Sequence, residues 1–211
     1  MVKPKNKTVT MNNFWFSDNQ IDSYLDKNQI FIKHQNNIAF IRSYMIQIMK
    51  SPYSNHNIDT VWPDHNLSTA SFIASIVMVN DRHWALYFNN KKIAYYIDPI
   101  LEPFCEKATH SECNFIHKII QQHAIENNLP TQTLKCYPNI RDFQKNSDDC
   151  GPMSCGYLIQ LIQGKSIKKI NIEEIRQWVW NNAFEESAIT SKGGGPIKKS
   201  TYNKDVAVGK V

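Results

Sequence analysis

The chain has 211 residues, 42% hydrophobic and 20% charged, enough to bury one sizeable core without disulfides or metal, and unlike a disordered polymer. Its formal net charge of +5 sits at the ends, in Lys3, Lys5 and Lys7 and in five lysines against one aspartate beyond residue 190, so residues 8–190 carry a net −2. That distribution argues against a nucleic-acid partner; no apolar stretch approaches the length of a bilayer span, and five cysteines without a framework spacing point to a reducing, cytoplasmic compartment.

Residues 1–10 are polar and basic and read as a flexible start, 11–190 as one folded domain, and 191–211, with Gly193-Gly194-Gly195-Pro196 and its lysines, as a tail or linker. Ser17 or Asp18 is placed to cap a helix carrying Ile21, Tyr24 and Leu25 at helical spacing. Phe31 to Lys50 repeats that period, with Ile38, Ile41, Met45, Ile48 and Met49 on one stripe, and Pro52 ends it. Residues 51–70, rich in Asn, Ser, Asp, His and Pro, read as a loop. Phe72 to Val79 is a β-branched apolar run expected of a central strand. Trp84 to Phe88 and Ile93 to Ile97 flank Asn89-Asn90-Lys91-Lys92 and predict a hairpin. Phe115 to Asn127 predicts a helix stopped before Pro130, and Thr131 to Tyr137 a further strand. Cys150 to Gln163 predicts an apolar helix ending at Gly164. Asn171 opens the last helix, with Glu174 at capping-box spacing. A strand cluster with helical flanks and no internal repeat is α+β.

The chemistry concentrates around Asp149-Cys150-Gly151. A thiol at a helix N-terminus meets unpaired N–H groups and a partial positive charge that favour the nucleophilic thiolate. Gly151 admits a close backbone approach, and Pro152 suits a first helical turn. Asp148 and Asp149 add opposing negative charge, so activation falls mainly to a histidine. His83 opens one arm of the predicted hairpin and Asp98 closes the other, which brings imidazole and carboxylate to one end of a sheet, as base and orienter. Gln144, six positions before the cysteine across a loop-like segment, supplies an amide donor for an oxyanion. Taken singly, each also reads as an ordinary surface, turn or core residue; their joint occurrence in order makes a cysteine-protease parts list.

His83-Trp84, Tyr96-Ile97-Asp98-Pro99 and Gln144 through Asp149-Cys150-Gly151 resemble the catalytic motifs of the ubiquitin-like-protease family, the SUMO-specific (sentrin) proteases of the CE clan of cysteine peptidases. Phe14 through Leu25 resembles the family's opening pattern, so the likeness runs from about residue 14 to 163. It implies a papain-like α+β fold, a central mixed sheet flanked by helices, and cleavage after the C-terminal Gly-Gly of a modifier. It assigns His83 as general base, Asp98 as its orienter, Gln144 as oxyanion donor and Cys150 as nucleophile. Trp15 and Trp84 match the tryptophans that close over the diglycine, a flat aromatic lid that excludes any Cβ. With Asp18, Asp149 and Gly151 they form the expected substrate-binding set. No cofactor is implied, and the expected partners of a monomer are ubiquitin or a ubiquitin-like modifier (SUMO, NEDD8) and its conjugates. Pro152-Met153-Ser154 and the segment Asn55 to Asn66 differ from the eukaryotic SUMO proteases and look like the divergent bacterial branch, whose effectors act in the host cytoplasm and many of which cleave ubiquitin. Asp18, Asp22 and Asp64 are candidates for reading the arginines of a ubiquitin tail. Two rival readings stand beside this one. The same triad serves acetyltransferases of the clan that use acetyl-CoA, although their phosphate activator calls for a basic pocket. A modifier-binding module without activity is the other, against which all four catalytic positions are filled.

Cys105, His110, Cys113 and His117 have zinc-like density, but their gaps are irregular and lack a Cys-x-x-Cys pair, so no metal site is expected. Cys136 and Cys155 read as small core residues.

Overall fold

The computed structural model describes residues 10–11, 14–51, 58–62, 66–80, 83–100, 111–137 and 143–183. The expected flexible N-terminus, apart from Thr10, and the basic tail lie outside them, as do Pro52, Asp64, Cys105 and His110. Helix α1 (Asp18–Lys27) starts at Ser17, whose hydroxyl accepts from Gln20 N–H while the Gln20 side chain accepts from Ser17 N–H at 2.9 Å, a closed capping box. Ile21 and Leu25 point into the core.

The single helix expected from Phe31 to Lys50 is a correction. Asn28 caps a short α2 (Gln29–His34), one 3₁₀ turn follows at Gln35–Asn37, then strand β1 (Ile38–Phe40), then α3 (Ser43–Lys50). Ile38, Ile41 and Met49 are buried as expected, but Ile48 is 50% exposed. An apolar triplet fits a helical stripe as well as a strand; here the open edge of the next strand decides, with Ile41 N–H donating to Ala74 O at 2.8 Å just past the paired residues. Inside the expected 51–70 loop lies one short helix, α4 (Ile58–Val61).

Strands β2 (Phe72–Val79), β3 (His83–Asn89) and β4 (Ala94–Ile97) follow the predicted pattern. The hairpin turn closes because Asn90 Oδ1 accepts from Lys92 and Ile93 N–H, with Lys91 at φ 67°. After α5 (Ser111–Glu126) comes β5 (Leu134–Cys136). The five strands form one mixed sheet in the order β1-β2-β3-β4-β5: β1 is parallel to β2, β2–β3 and β3–β4 are antiparallel, and β4–β5 is parallel. Strand β2 is paired on both sides, as its apolar run predicts, and β3 is the middle strand.

Two cores cover the two faces. One joins α1, α2, α6 (Cys150–Ile162) and α7 (Ile172–Asn182) to Trp84, Leu86, Phe88 and Ile97; the other joins α3, α4 and α5 to Ala85, Tyr87 and Tyr96. Every residue of α6 except Gln160 is buried, which is why the helix is apolar on all sides. It stops at Gly164, whose φ of 70° is a left-handed conformation costly for other residues. Asn171 caps α7 by accepting from Glu174 N–H at 3.4 Å; the return bond is side chain to side chain, Asn171 Nδ2 to Glu174 Oε2, rather than a full capping box. This mixed five-stranded sheet between helical layers is the expected architecture.

Candidate active site

The register pairs Leu86 with Ile97, so the start of β3 and the end of β4 lie together at one end of the sheet. There His83 Nε2 meets Asp98 Oδ1 at 2.7 Å. The carboxylate is fully engaged: Tyr96 Oη donates to Oδ2 at 2.5 Å, and Ile100 N–H donates to Oδ1 at 2.7 Å. Burial and the adjacent carboxylate raise the Tyr96 pKa, which keeps the phenol a neutral donor. The His83 ring also hydrogen-bonds Cys150. With Nε2 on Asp98, Nδ1 is the nitrogen left for the thiol. Burial pulls the His83 pKa down, but the hydrogen bonds to Asp98 and Cys150 and their electrostatic pull outweigh it, taking the ring from an ordinary 6.5 to about 9.

Cys150 is the first residue of α6 and is fully buried. Its helix is laid against β3, with Ser154 Oγ donating to Trp84 O at 3.4 Å. The N-terminal residues 14–16 pass over this helix start as an aromatic strap. Trp84 Nε1 donates to Phe16 O at 2.8 Å, Phe14 stacks on Phe16 at 5.2 Å, and Trp15 stacks on Trp84 at 5.7 Å. Gly151 is required by this contact, since a Cβ there would lie 2.8 Å from Phe16 Cβ and 3.3 Å from Trp84 Cδ1.

The loop before Cys150 is shaped by its own side chains. Asn146 Oδ1 accepts from the N–H groups of Asp148 and Asp149 at 2.9 and 3.0 Å, which turns the chain back toward the helix. Gln144 N–H donates to Pro99 O at 2.8 Å and so ties this loop to the Asp98 turn. Its amide Nε2 donates to Asn146 O, and its buried Oε1 has no hydrogen-bond partner among the described residues.

No family model and no curated protein matches the sequence. Solved structures do match. The Chaetomium thermophilum Ulp1-like SUMO protease catalytic domain superposes with a TM-score of 0.62 at 12% identity, over 89% of this chain and 79% of that one. The C-terminal protease domain of Ulp1 in complex with Smt3, the yeast ortholog of SUMO, gives 0.59 at 16% identity, over 78% and 73%. The Xanthomonas campestris effector protein XopD bound to ubiquitin gives 0.56 at 13% identity, over 85% and 96%. The chain has the Ulp1-like protease fold.

Within this Ulp1-like fold, His83, Asp98 and Cys150 come into one hydrogen-bonded set, and Gln144 lies in the loop between the Asp98 turn and Cys150. Of the two tryptophans, Trp84 is fully buried and Trp15, partly exposed, covers it. Asp18 lies in the first turn of α1. Asp22 is held by Arg42 at 3.0 Å. Cys113, on α5, is buried, and His117 Nδ1 meets Tyr87 Oη at 3.2 Å. The described cysteines, Cys113, Cys136, Cys150 and Cys155, are free thiols; burial raises the pKa of Cys113 and Cys155.

Sequence reasoning missed the residue that holds Asp149. Arg176 of α7, only 2% exposed, donates from Nε and Nη2 to Asp149 Oδ1 at 2.8 and 2.7 Å. The signal was present: Ile172, Ile175, Arg176 and Val179 share one face of α7 at helical spacing, so the arginine occupies a core position.

Proposed function

We propose that this chain is a cysteine isopeptidase that cleaves after the C-terminal Gly-Gly of ubiquitin or a ubiquitin-like modifier. The observation carrying the reading is the buried Cys150 at the N-terminus of α6, hydrogen-bonded to a histidine whose other nitrogen is fixed by Asp98 at 2.7 Å. The Ulp1 structure in complex with Smt3 and the XopD structure bound to ubiquitin support the substrate class.

In this reading the Cys150 thiolate attacks the carbonyl carbon of the modifier's terminal glycine. The oxyanion is met by Cys150 N–H and the Gln144 amide, a kind of stabilisation worth about 3–4 kcal/mol per donor. His83, held protonated by Asp98, delivers its proton to the leaving lysine amine, and a thioester remains. His83, now neutral, takes a proton from water, whose hydroxide attacks the thioester and releases the modifier's carboxylate and the thiol. Trp15, partly exposed and lying on the buried Trp84, is the flat aromatic face available to the modifier's tail, and such a face favours a chain of two glycines over one with a Cβ. Ubiquitin is the preferred modifier in this proposal, with Asp18 as the acidic residue nearest the strap in sequence; Trp15, Trp84, Asp18 and Gly151 form the substrate-binding side, together with the main chain of Asp149, whose carboxylate is held by Arg176.

The test is a panel of ubiquitin, SUMO and NEDD8 probes bearing a C-terminal vinyl electrophile. A covalent adduct with one modifier, absent in Cys150→Ala, is the expected result and names the preference. A folded protein whose Cys150 alkylates with iodoacetamide but forms no adduct with any probe would overturn the isopeptidase reading. Acetylation of a protein substrate from acetyl-CoA would then point to the acyl-transfer alternative, and non-covalent modifier binding to the inactive module.

A further inference from the structure

The residue before the nucleophile creates a problem that the structure solves from a distant helix. Asp149 occupies the N-cap position of α6, and aspartate there ordinarily swings its carboxylate onto the first-turn N–H groups. In this chain the N–H that such a cap would take is that of Gly151, Pro152 having none, and it lies beside Cys150 N–H, the backbone donor proposed for the oxyanion. A carboxylate parked there would fill the anion site and set a negative charge beside the thiol. Asp149 makes no side-chain capping bond.

The carboxylate is held elsewhere. Its Oδ1 accepts from both Nε and Nη2 of Arg176, and its Oδ2 accepts from Asn146 Nδ2 at 2.7 Å. Nη2 also donates to Asp148 O at 2.7 Å, and Nη1 donates to Phe14 O at 2.7 Å and Met11 O at 3.4 Å. All five guanidinium N–H groups are thereby used, a set a lysine does not reproduce. The guanidinium carbon lies 5.3 Å from the centre of the Phe14 ring and 5.8 Å from that of Phe16. One buried cation therefore joins α7, the turn before the nucleophile and the aromatic strap. Among the described residues, the charged groups nearest the thiol are then His83 of β3, Asp98 beyond β4, Asp148 and Asp149 of its own loop, and Arg176 of α7; the strap residues 14–16 bring none.

We infer that Arg176 is a positioning residue for catalysis: it keeps the Asp149 carboxylate off the N-terminus of α6, so that Cys150 N–H, the backbone donor for the reaction's oxyanion, and Gly151 N–H beside it stay uncovered. The inference rests on the peptidase reading of Cys150, and it makes an unusual prediction. Removing Arg176 alone is worse than removing Arg176 and Asp149 together.

The experiment compares wild type, Arg176→Met and Arg176→Met with Asp149→Ala, each checked for a cooperative melt. The first readout is the rate of Cys150 alkylation by iodoacetamide at pH 7, followed by peptide-mapped mass spectrometry. The second is kcat and KM on the modifier that the probe panel selects. Arg176→Met should slow alkylation and kcat about tenfold or more, with KM changed less, and the double variant should recover most of that loss. A double variant as slow as the single, or a single as fast as wild type, overturns the positioning role. Should Arg176→Met fail to fold, Arg176→Lys with and without Asp149→Ala gives the same comparison, and the same faster rate on removing Asp149 is expected. Alkylation needs no modifier and forms no oxyanion, so a protein whose alkylation follows this pattern without cleaving any modifier sinks the isopeptidase reading and leaves standing only the part of the role that keeps the Asp149 charge from the thiol.

Discussion

Two histidines, one on the sheet and one on a helix packed against it, behave in opposite ways. His83, at the start of β3, and His117, on α5 against the Tyr87 hydroxyl of the same strand, both lose solvent on folding. Burial lowers the His117 pKa, since its partner is a neutral phenol and the Gln132 backbone contact offsets only part of the cost. The same burial acts on His83, yet its pKa rises to about 9, because a fixed carboxylate and a thiol face its two nitrogens. The lesson is that depth alone makes an imidazole a poor acid–base group, and the second partner decides whether it becomes a catalytic one.

The largest effect that can break this contrast is removal of the reacting groups. Cys150→Ala or His83→Ala should lower kcat/KM about 10⁴-fold or more, whereas His117→Ala should leave it within a few-fold of wild type. Steady-state assays on a fluorogenic modifier substrate check this, and a His117 variant as dead as the His83 one would erase the distinction. Next comes the partner itself. Asp98→Asn keeps the shape but removes the charge that holds the His83 ring, and should cost about 10²- to 10⁴-fold in kcat, with KM nearly constant. The amide keeps one oxygen to accept from Ile100 N–H, and its N–H₂ can donate to the Tyr96 hydroxyl once that turns round, so the variant is expected to fold, and its near-ultraviolet dichroism should match wild type.

A pair of glycines on α6 sharpens the contrast at smaller scale. A Cβ on Gly151 would sit 2.8 Å from Phe16 Cβ, and one on Gly156 would sit 2.5 Å from Ile170 Cγ2. Either substitution by alanine should cost about 1–3 kcal/mol of stability through overpacking. Only Gly151→Ala should also reduce turnover of the folded enzyme, since it pushes on the strap over the nucleophile. Equal activity losses in the two, measured well below their melting temperatures, would count against a functional strap.

How much of this was legible in the sequence follows from the range of the forces involved. Ser17 and Asn171 announced their helices because a cap is a local bond, and Phe72 to Ile97 read correctly because strand alternation and a turn of Asn and Lys are local too. The His83–Asp98 meeting was readable through the hairpin register, and Cys150 through its place at a helix start. Strand β1 was not, because Ile38-Ala39-Phe40 satisfies two periods and only pairing with β2 selects one. The role of Arg176 was not either: its place on the apolar face of α7 marks it as buried, but its partners lie 27 and 162 positions away. Nor was the depth of Trp84, which depends on Trp15 lying on it.

The smallest expected effect carries the comparison into thermodynamics. A histidine whose folded pKa is raised binds protons more tightly folded than unfolded, so its stabilisation is complete below the unfolded pKa of about 6.5 and disappears as pH rises through about 9. One whose folded pKa is lowered does the reverse: the unfolded chain binds the extra proton, so stability increases with pH toward 6.5 and then levels off. Melting temperatures of wild type, His83→Gln and His117→Gln across pH 5 to 9.5 separate the two. The advantage of wild type over His83→Gln should shrink between pH 6.5 and 9, while its advantage over His117→Gln should grow as pH approaches 6.5 from below and stay flat above. Two curves of the same slope would mean that the Asp98 and Cys150 contacts do not hold the His83 proton in solution, and the imidazole would then be an ordinary buried histidine at the end of a strand.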